Sequence, residues 1–129
     1  IYIKYNYMYT NKELNQWISL VSSQDIDAVV DLYASNGLLL GTFSDEIRIG
    51  KEKIREYFEY FLAQKPKATV IDSTNHMIGD EILVVNGFYD FEVKADDADT
   101  KTVSARFTFV FKIKDVGFEI ISHHSSVMP

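Results

Sequence analysis

The hydrophobic pattern of this 129-residue chain changes its period once, at about Lys67. Before that point apolar residues recur at the i, i+3, i+4, i+7 spacing of amphipathic helices, and after it they alternate with polar residues, as in β-strands. Helices followed by a run of strands are typical of an α+β domain. We therefore expect three N-terminal helices packed on a strongly curved antiparallel sheet, forming a cone with an internal pocket.

The predicted helices account for the first half of the chain. Their apolar stripes lie within residues 14–21, 26–33 and 54–62. Asn36-Gly37 has the composition that ends a helix, so the second helix is predicted to run to that point. The segment GLLLGTF, which follows it, is predicted to be a short buried strand.

Four longer strands are predicted at residues 67–77, 81–94, 101–114 and 118–124. Their links are short or moderate, which favours antiparallel pairing of consecutive strands. The Asp-Val-Gly link before the last strand suits a three-residue hairpin with Gly117 in the left-handed conformation. The glycine within the second of these strands is typical of a bulge or bend.

The strand at 101–114 has two different faces, because its side chains alternate. One face is almost wholly apolar and must be buried; it consists of Val103, Ala105, Phe107, Phe109, Phe111 and Ile113. The other face is mixed, with Arg106 at its centre. An arginine in the middle of a strand needs a partner, since arginine is rarely buried unpaired.

Counting outward from the hairpin predicts which residues of the last two strands lie opposite one another. The predicted pairs are Arg106 with Ser126, Thr108 with His124, and Phe109 with His123. This register puts His124 on the face of Arg106 and His123 on the aromatic face. Counting back across the longer link at 95–100 puts Asp90 roughly opposite Arg106.

Composition excludes several classes of function. The net charge of −6 does not suit a nucleic-acid groove, which needs clustered Lys and Arg. The chain has no cysteine, so thiolate catalysis and disulfides are excluded, and no apolar run approaches the ~18 residues of a membrane span. Residues 1–9 lack the pattern of a secretory signal and are interpreted as an N-terminal extension of a single domain at 10–129. A cytoplasmic location is the expectation.

A ligand pocket is the functional prediction that these patterns favour. Arg106 presents a planar fork of donors suited to a carboxylate or another small anion. An internal salt bridge to Asp90, Glu92 or Asp72 is the alternative for this arginine, and the two are compatible. The predicted ligand-binding residues are Arg106, Thr108, His124, Ser126, Tyr33, Tyr57 and Tyr89.

Catalysis has a weaker basis in the residues. His124 paired with Asp90 or Asp72 is the candidate for general acid–base chemistry. Adjacent histidines on a strand point to opposite faces, so His123 and His124 are not expected to bind one metal ion. No glycine-rich cofactor motif occurs, and we expect no cofactor.

Self-association follows from one arrangement of the faces. If Arg106 faces the helices, the aromatic row lies on the outer face of the sheet and needs a second subunit to cover it. The predicted contact of a homodimer or larger ring then consists of Phe107, Phe109, Phe111 and His123. In the alternative arrangement this row is core beneath the helices.

Three stretches of the sequence resemble a known family and so narrow the predicted fold. The order of elements is similar to the nuclear transport factor 2-like cone, the superfamily of ketosteroid isomerases and polyketide cyclases. Within it, YASNGLLLGTFSDEIRIGKEKIREYFEYFL (33–62), ARFTFVF (105–111) and IISHHSSVMP (120–129) resemble the association (hub) domain of calcium/calmodulin-dependent protein kinase II and its free-standing bacterial SgcJ/EcaC-type relatives.

The resemblance implies an oligomeric domain with an anion-attracting pocket. Kinase activity is not implied, because residues 1–129 hold no kinase domain. Arg106 matches a pocket arginine of the hub and His124 matches a hub histidine, while Ser125 stands where the hub has a further arginine. Three functions stay open: a homo-oligomeric domain that binds a small organic anion, a cofactor-free isomerase, cyclase or hydrolase, and a pure oligomerisation module. The oxidoreductase label of some relatives has no support in the residues.

Overall fold

The computed structural model describes residues 12–94 and 99–129, so the extension at 1–9 and most of the 95–100 link lie outside the described residues. Three helices and six strands follow one another along the chain: α1 (Lys12–Ser22), α2 (Ile26–Asp31), β1 (Tyr33–Leu40), β2 (Arg48–Ile49), α3 (Lys51–Leu62), β3 (Lys67–Ile78), β4 (Ile82–Val93), β5 (Lys101–Ile113) and β6 (Phe118–Val127). None of the described helices is both long and apolar enough to cross a bilayer.

The six strands form one mixed sheet in the order β2-β1-β6-β5-β4-β3. Every neighbouring pair is antiparallel except β1 and β6, which are parallel. The three helices pack on one face, with the Trp17 ring of α1 stacked on Tyr89 and the Phe61 ring of α3 against Phe91. The predicted α+β class, with three helices on a curved sheet, is confirmed.

The second helix ends five residues earlier than the Asn36-Gly37 pair predicts. It stops at Asp31, and residues 33–36 belong to β1. Parallel pairing with β6 is the reason: Tyr33 lies beside Ile120, and the Ile120 amide donates to the Leu32 carbonyl at 2.7 Å. A contact so distant in sequence leaves no local signal, and the apolar residues of this segment fit either period.

The predicted register of the last hairpin is confirmed at all three pairs. Arg106 lies opposite Ser126, Thr108 opposite His124, and Phe109 opposite His123. Gly117 has a φ of 78°, as the predicted turn requires. Nearer the turn the register differs by one residue, because Phe118 lies opposite Ile113 and not opposite Lys114, as a three-residue loop would require. A bulge at the Val110/Phe111 step adds one residue to β6 and offsets this difference.

The prediction that Asp90 lies opposite Arg106 is wrong by two residues. Phe88 faces Arg106, and Asp90 faces Ser104, whose hydroxyl donates to its carboxylate at 2.7 Å. The link between β4 and β5 is too long to set the register by itself. The register of β4 with β5 runs through Gly87 without a shift, and the bulge lies instead in the neighbouring strand β3, at Ile71 between Val70 and Asp72.

The aromatic row of β5 is core, so its predicted role as an outer contact surface is wrong. Phe107, Phe109 and Phe111 are at most 4% exposed, and His123 is 2% exposed. They lie on the face that packs against Trp17 of α1, which contacts both Phe109 and His123. Three phenylalanines and a neutral histidine bury more apolar surface beneath the helices than the mixed face of Arg106 would.

Candidate functional site

The side chains of Arg106 and His124 lie on the face of the sheet that no described helix covers, here called the open face. Two cross-strand rows at its centre follow from the pairing of β3, β4, β5 and β6. The first row is Asp72, Phe88, Arg106 and Ser126, and the second is Thr74, Asn86, Thr108 and His124. Phe88 is therefore the one apolar side chain in these two rows, and the other seven are polar or charged.

A groove of about 540 Å³ runs along these two rows. Its walls are Asp72, Ser73, Thr74, Asn86, Gly87, Phe88, Arg106, Phe107, Thr108, His124 and Ser126. The volume is within the ~300–1,000 Å³ range of small-molecule sites. Four residues predicted to bind a ligand are brought together here, together with Asp72, which was predicted as a catalytic candidate.

Arg106 carries a positive charge into the groove that no described carboxylate neutralises. Across residues 12–94 and 99–129 its guanidinium makes one hydrogen bond, from Nε to the Ser126 hydroxyl at 3.2 Å. The expected salt bridges to Asp72, Asp90 or Glu92 are not formed. The two terminal nitrogens therefore have donors available for a planar anion.

The tyrosines predicted to line the ligand site lie elsewhere. Strand alternation puts Tyr33 and Tyr89 on the other face of the sheet, and Tyr57 belongs to α3. Tyr33 and Tyr89 are about 1% exposed or less, inside the cone. Tyr57 of α3 is buried beside the Gly41 backbone. Burial raises the pKa of all three hydroxyls, since ionisation in an apolar interior lacks solvation. The interior of the cone is thus filled by aromatic rings.

A chain of hydrogen bonds crosses this aromatic interior. The Trp17 indole donates to the Tyr33 hydroxyl at 3.1 Å, and that hydroxyl lies 2.8 Å from His123 Nδ1. On the other side, His123 Nε2 lies 3.3 Å from the Tyr89 hydroxyl, which donates to Ser125 Oγ at 2.6 Å. Ser125 Oγ then bonds to the Thr42 hydroxyl. Ser125, where the hub has an arginine, therefore serves this internal chain.

One protonation state of His123 satisfies every member of this chain. An indole N–H only donates, so the Tyr33 oxygen accepts from Trp17 and gives its own proton to Nδ1. The remaining imidazole proton then sits on Nε2 and is donated to Tyr89. Burial, with a smaller contribution from the neighbouring His124, lowers the pKa of His123 from 6.5 to about 3, so it is neutral.

A second cavity, of about 660 Å³, lies between the β1–β2 connection and α3. Thr42, the last member of the internal chain, is on its wall together with Tyr57 and Arg48. Here the arginine is already neutralised, because Arg48 pairs with Glu46 and Glu56 at 3.5 and 3.3 Å. This cavity is therefore less suited to binding an anion than the groove, where the charge of Arg106 is not neutralised.

The predicted His–Asp pair is not formed. Asp72 is on β3 and His124 on β6, with two strands between them, so their backbones are about 14 Å apart at ~4.8 Å per strand. Asp90 is hydrogen-bonded to Ser104 and does not line the groove. Among the described residues no three His, Asp or Glu side chains gather as metal ligands.

The sequence predictions missed three side chains of this site, which lie on β3 and β4. Phe88, Asn86 and Thr74 line the groove, and Phe88 is 44% exposed in the middle of the sheet. The only signal for Asn86 and Phe88 was the alternation of the strand at 81–94, and for Thr74 that of the strand at 67–77. That alternation says which residues share a face but not which of them lie opposite Arg106.

The fold and its groove define the class of this protein: an α+β cone domain with a groove on its open face, lined by Arg106. The family model described as "Calcium/calmodulin dependent protein kinase II association domain" matches residues 10–129, and the chain belongs to that family. No curated protein matches the chain.

Solved structures support the same assignment. A structure assigned as a calcium/calmodulin-dependent protein kinase II association domain from Xanthomonas campestris is 38% identical, with a TM-score of 0.86 over 90% of this chain and 83% of that one. The kinase II hub homology domain of Chlamydomonas reinhardtii has a TM-score of 0.71 at 18% identity, over 98% and 99% of the chains. An NTF2-like protein from Novosphingobium aromaticivorans has a TM-score of 0.73 at 11% identity, over 94% and 83%. The last two show the fold alone.

Proposed function

We propose that this domain binds a small organic carboxylate in the groove of the open face, with Arg106 as the anchor. The observation that carries the proposal is the guanidinium of Arg106, which lines the groove with Ser126 as its described hydrogen-bond partner. A carboxylate can accept two parallel hydrogen bonds from the terminal nitrogens of an arginine. Thr108 and His124 add further polar groups to the same wall.

A comparison of benzoate binding by the native chain and by the Arg106→Gln variant tests this proposal. The native chain is expected to gain about 1.4 kcal/mol of unfolding free energy at a ligand concentration tenfold above Kd, seen as a rise in Tm. The Arg106→Gln variant is expected to bind about tenfold more weakly, because it loses a charge-assisted hydrogen bond. Thermal shift and titration calorimetry measure the two effects.

Two controls separate anchoring from unspecific attraction. Lys112→Gln removes a positive charge from the same face of the same strand outside the groove, and it should bind benzoate like the native chain. Benzamide has the shape of benzoate without its charge and should bind poorly. An equal response to benzoate in native and Arg106→Gln chains would place the anion elsewhere and refute the proposal.

Self-association through the rest of the open face is the second function proposed. Apolar side chains that are partly or largely exposed lie on this face, beside the groove: Leu38, Leu40, Ile78, Ile82, Val84 and Val110. A second copy of the chain is the occupant that the family name, association domain, favours. Contact at this patch covers apolar surface while the groove stays at the edge of the interface.

The test of self-association is a charge at the centre of that patch. Val110→Lys is expected to convert the native oligomer into monomers, because a buried, unpaired ammonium is costly. Light scattering after gel filtration gives the mass. Val116→Lys is the matched control, since Val116 is 88% exposed in the β5–β6 turn. A native chain that is monomeric at tens of micromolar would contradict the proposal.

A further inference from the structure

One row of the groove consists of side chains from three adjacent strands, and each side chain has a different chemical character. Asp72 on β3, Phe88 on β4 and Arg106 on β5 are consecutive cross-strand neighbours. A carboxylate, an apolar ring and a guanidinium thus follow one another across the groove. The outer two backbones are about 10 Å apart, at ~4.8 Å for each strand spacing.

Neither charge at the ends of this row is neutralised by its neighbours. Within the described ranges the Asp72 carboxylate makes no hydrogen bond or ion pair, and Arg106 bonds to Ser126 alone. Phe88 stands between them and keeps them from pairing with each other. Two opposite charges held apart across a groove are complementary to a molecule that carries the reverse charges at its two ends.

Phe88 determines which chemical group fits between the two charged ends of such a molecule. Its ring is 44% exposed, although β4 is an interior strand of the sheet. An exposed ring offers a flat apolar surface on which another ring can stack, with a gain beyond the buried area alone. The neighbouring row presents Asn86 and Thr108, which are bonded to each other at 2.6 Å and form a polar floor beside the ring.

We propose that the ligand of this groove is an aromatic amino-carboxylate, bound with its carboxylate on Arg106, its ring on Phe88 and its ammonium on Asp72. This inference rests on the proposed function and adds to it the class of ligand. A simple carboxylate uses one end of the row, whereas a zwitterion of this kind uses both ends and the ring between them.

Three probes that differ in one group each test the proposal on the full chain. They are 4-(aminomethyl)benzoate, 4-methylbenzoate and trans-4-(aminomethyl)cyclohexanecarboxylate. The first is expected to bind about threefold more tightly than the second, the size typical of an ion pair at an exposed site. It is also expected to bind more tightly than the third, which has no aromatic ring to stack on Phe88. Titrations followed by amide chemical shifts give the Kd and show whether the resonances of β3, β4 and β5 beside the groove respond.

The Asp72→Asn variant isolates the ammonium contact. In this variant the ratio between the first two probes is expected to fall to about one. Glu92→Gln removes the same charge from the open face without touching the groove, and it should keep the native ratio. Phe88→Leu is expected to remove the preference for the aromatic probe over its cyclohexane analogue.

The outcomes distinguish this inference from the proposal beneath it. Arg106-dependent binding of 4-methylbenzoate with no gain from the ammonium group refutes the zwitterion and leaves the carboxylate site standing. A native ratio that persists in Asp72→Asn refutes it as well. Failure of all three probes to bind the native chain overturns both.

Discussion

Lowering the pH from 7 to 5 is expected to reduce the free energy of unfolding by about 2 kcal/mol through His123 alone. The pKa of His123 is about 3 in the folded chain and 6.5 when exposed. Between these values the unfolded state binds a proton that the folded state does not. The stability that depends on a neutral His123 is therefore complete above pH 6.5 and is lost as the pH falls towards 3.

Chemical denaturation at several pH values measures this effect by difference. The stability of His123→Gln is expected to change less between pH 7 and 5 than that of the native chain, and the missing part is the contribution of His123. The matched control is His76→Gln, which removes an exposed histidine of β3 that takes no part in the internal chain around His123. This variant should keep the native pH profile. Imidazole resonances of His123 that titrate near pH 6.5 in the folded protein would contradict the prediction.

Gly87→Ala is expected to destabilise the domain by at least about 3 kcal/mol, the upper end of the usual range for overpacking. A Cβ at this position would overlap the carbonyl oxygen of Asp72 and lie 2.8 Å from Ser73 Cα. Both are backbone atoms of β3 at its bulge, so they cannot move aside as a side-chain tip can. The strand itself must shift, and the wall of the groove shifts with it.

Thermal unfolding compares this variant with Gly79→Ala. An added Cβ at Gly79 meets no atom within 4 Å, so that variant loses only about 1–2 kcal/mol from its positive φ of 63°. A Gly87→Ala chain that melts within a degree of the native chain would show that β3 can move freely at this point. Its benzoate affinity would then report whether the groove keeps its shape.

Much of the candidate site was predictable because alternation along a strand is local. Counting from the hairpin at Gly117 placed Arg106, Thr108, His124 and Ser126 on one face. The register next to the turn is one residue away from the counted one, and the bulge in β6 offsets that difference before these four residues are reached. The same parity placed His123 with the aromatic residues. For β4 the reasoning failed, because the longer link leaves its register free, and Phe88 rather than Asp90 lies opposite Arg106.

The three tyrosines among the predicted ligand-binding residues do not line the groove, for a different reason. Tyr33, Tyr57 and Tyr89 were grouped with Arg106 on the expectation that the arginine lies inside the cone. The helices instead cover the other face, where Trp17 contacts Phe109 and His123. The tyrosine hydroxyls of Tyr33 and Tyr89 therefore belong to the internal chain around His123, on the far side of the sheet from the groove.

Local patterns along the chain were enough to predict the α+β class, the approximate positions of the four long strands and the residues that share each face of β5 and β6, because periodicity and short turns act between near neighbours. The folded chain was needed to show which face the helices cover, how β4 aligns with β5, and that β1 runs parallel to β6. Those features depend on the apolar area that distant segments bury together. This buried area arises only when the whole sheet is folded against its helices, so no single stretch of the sequence predicts it.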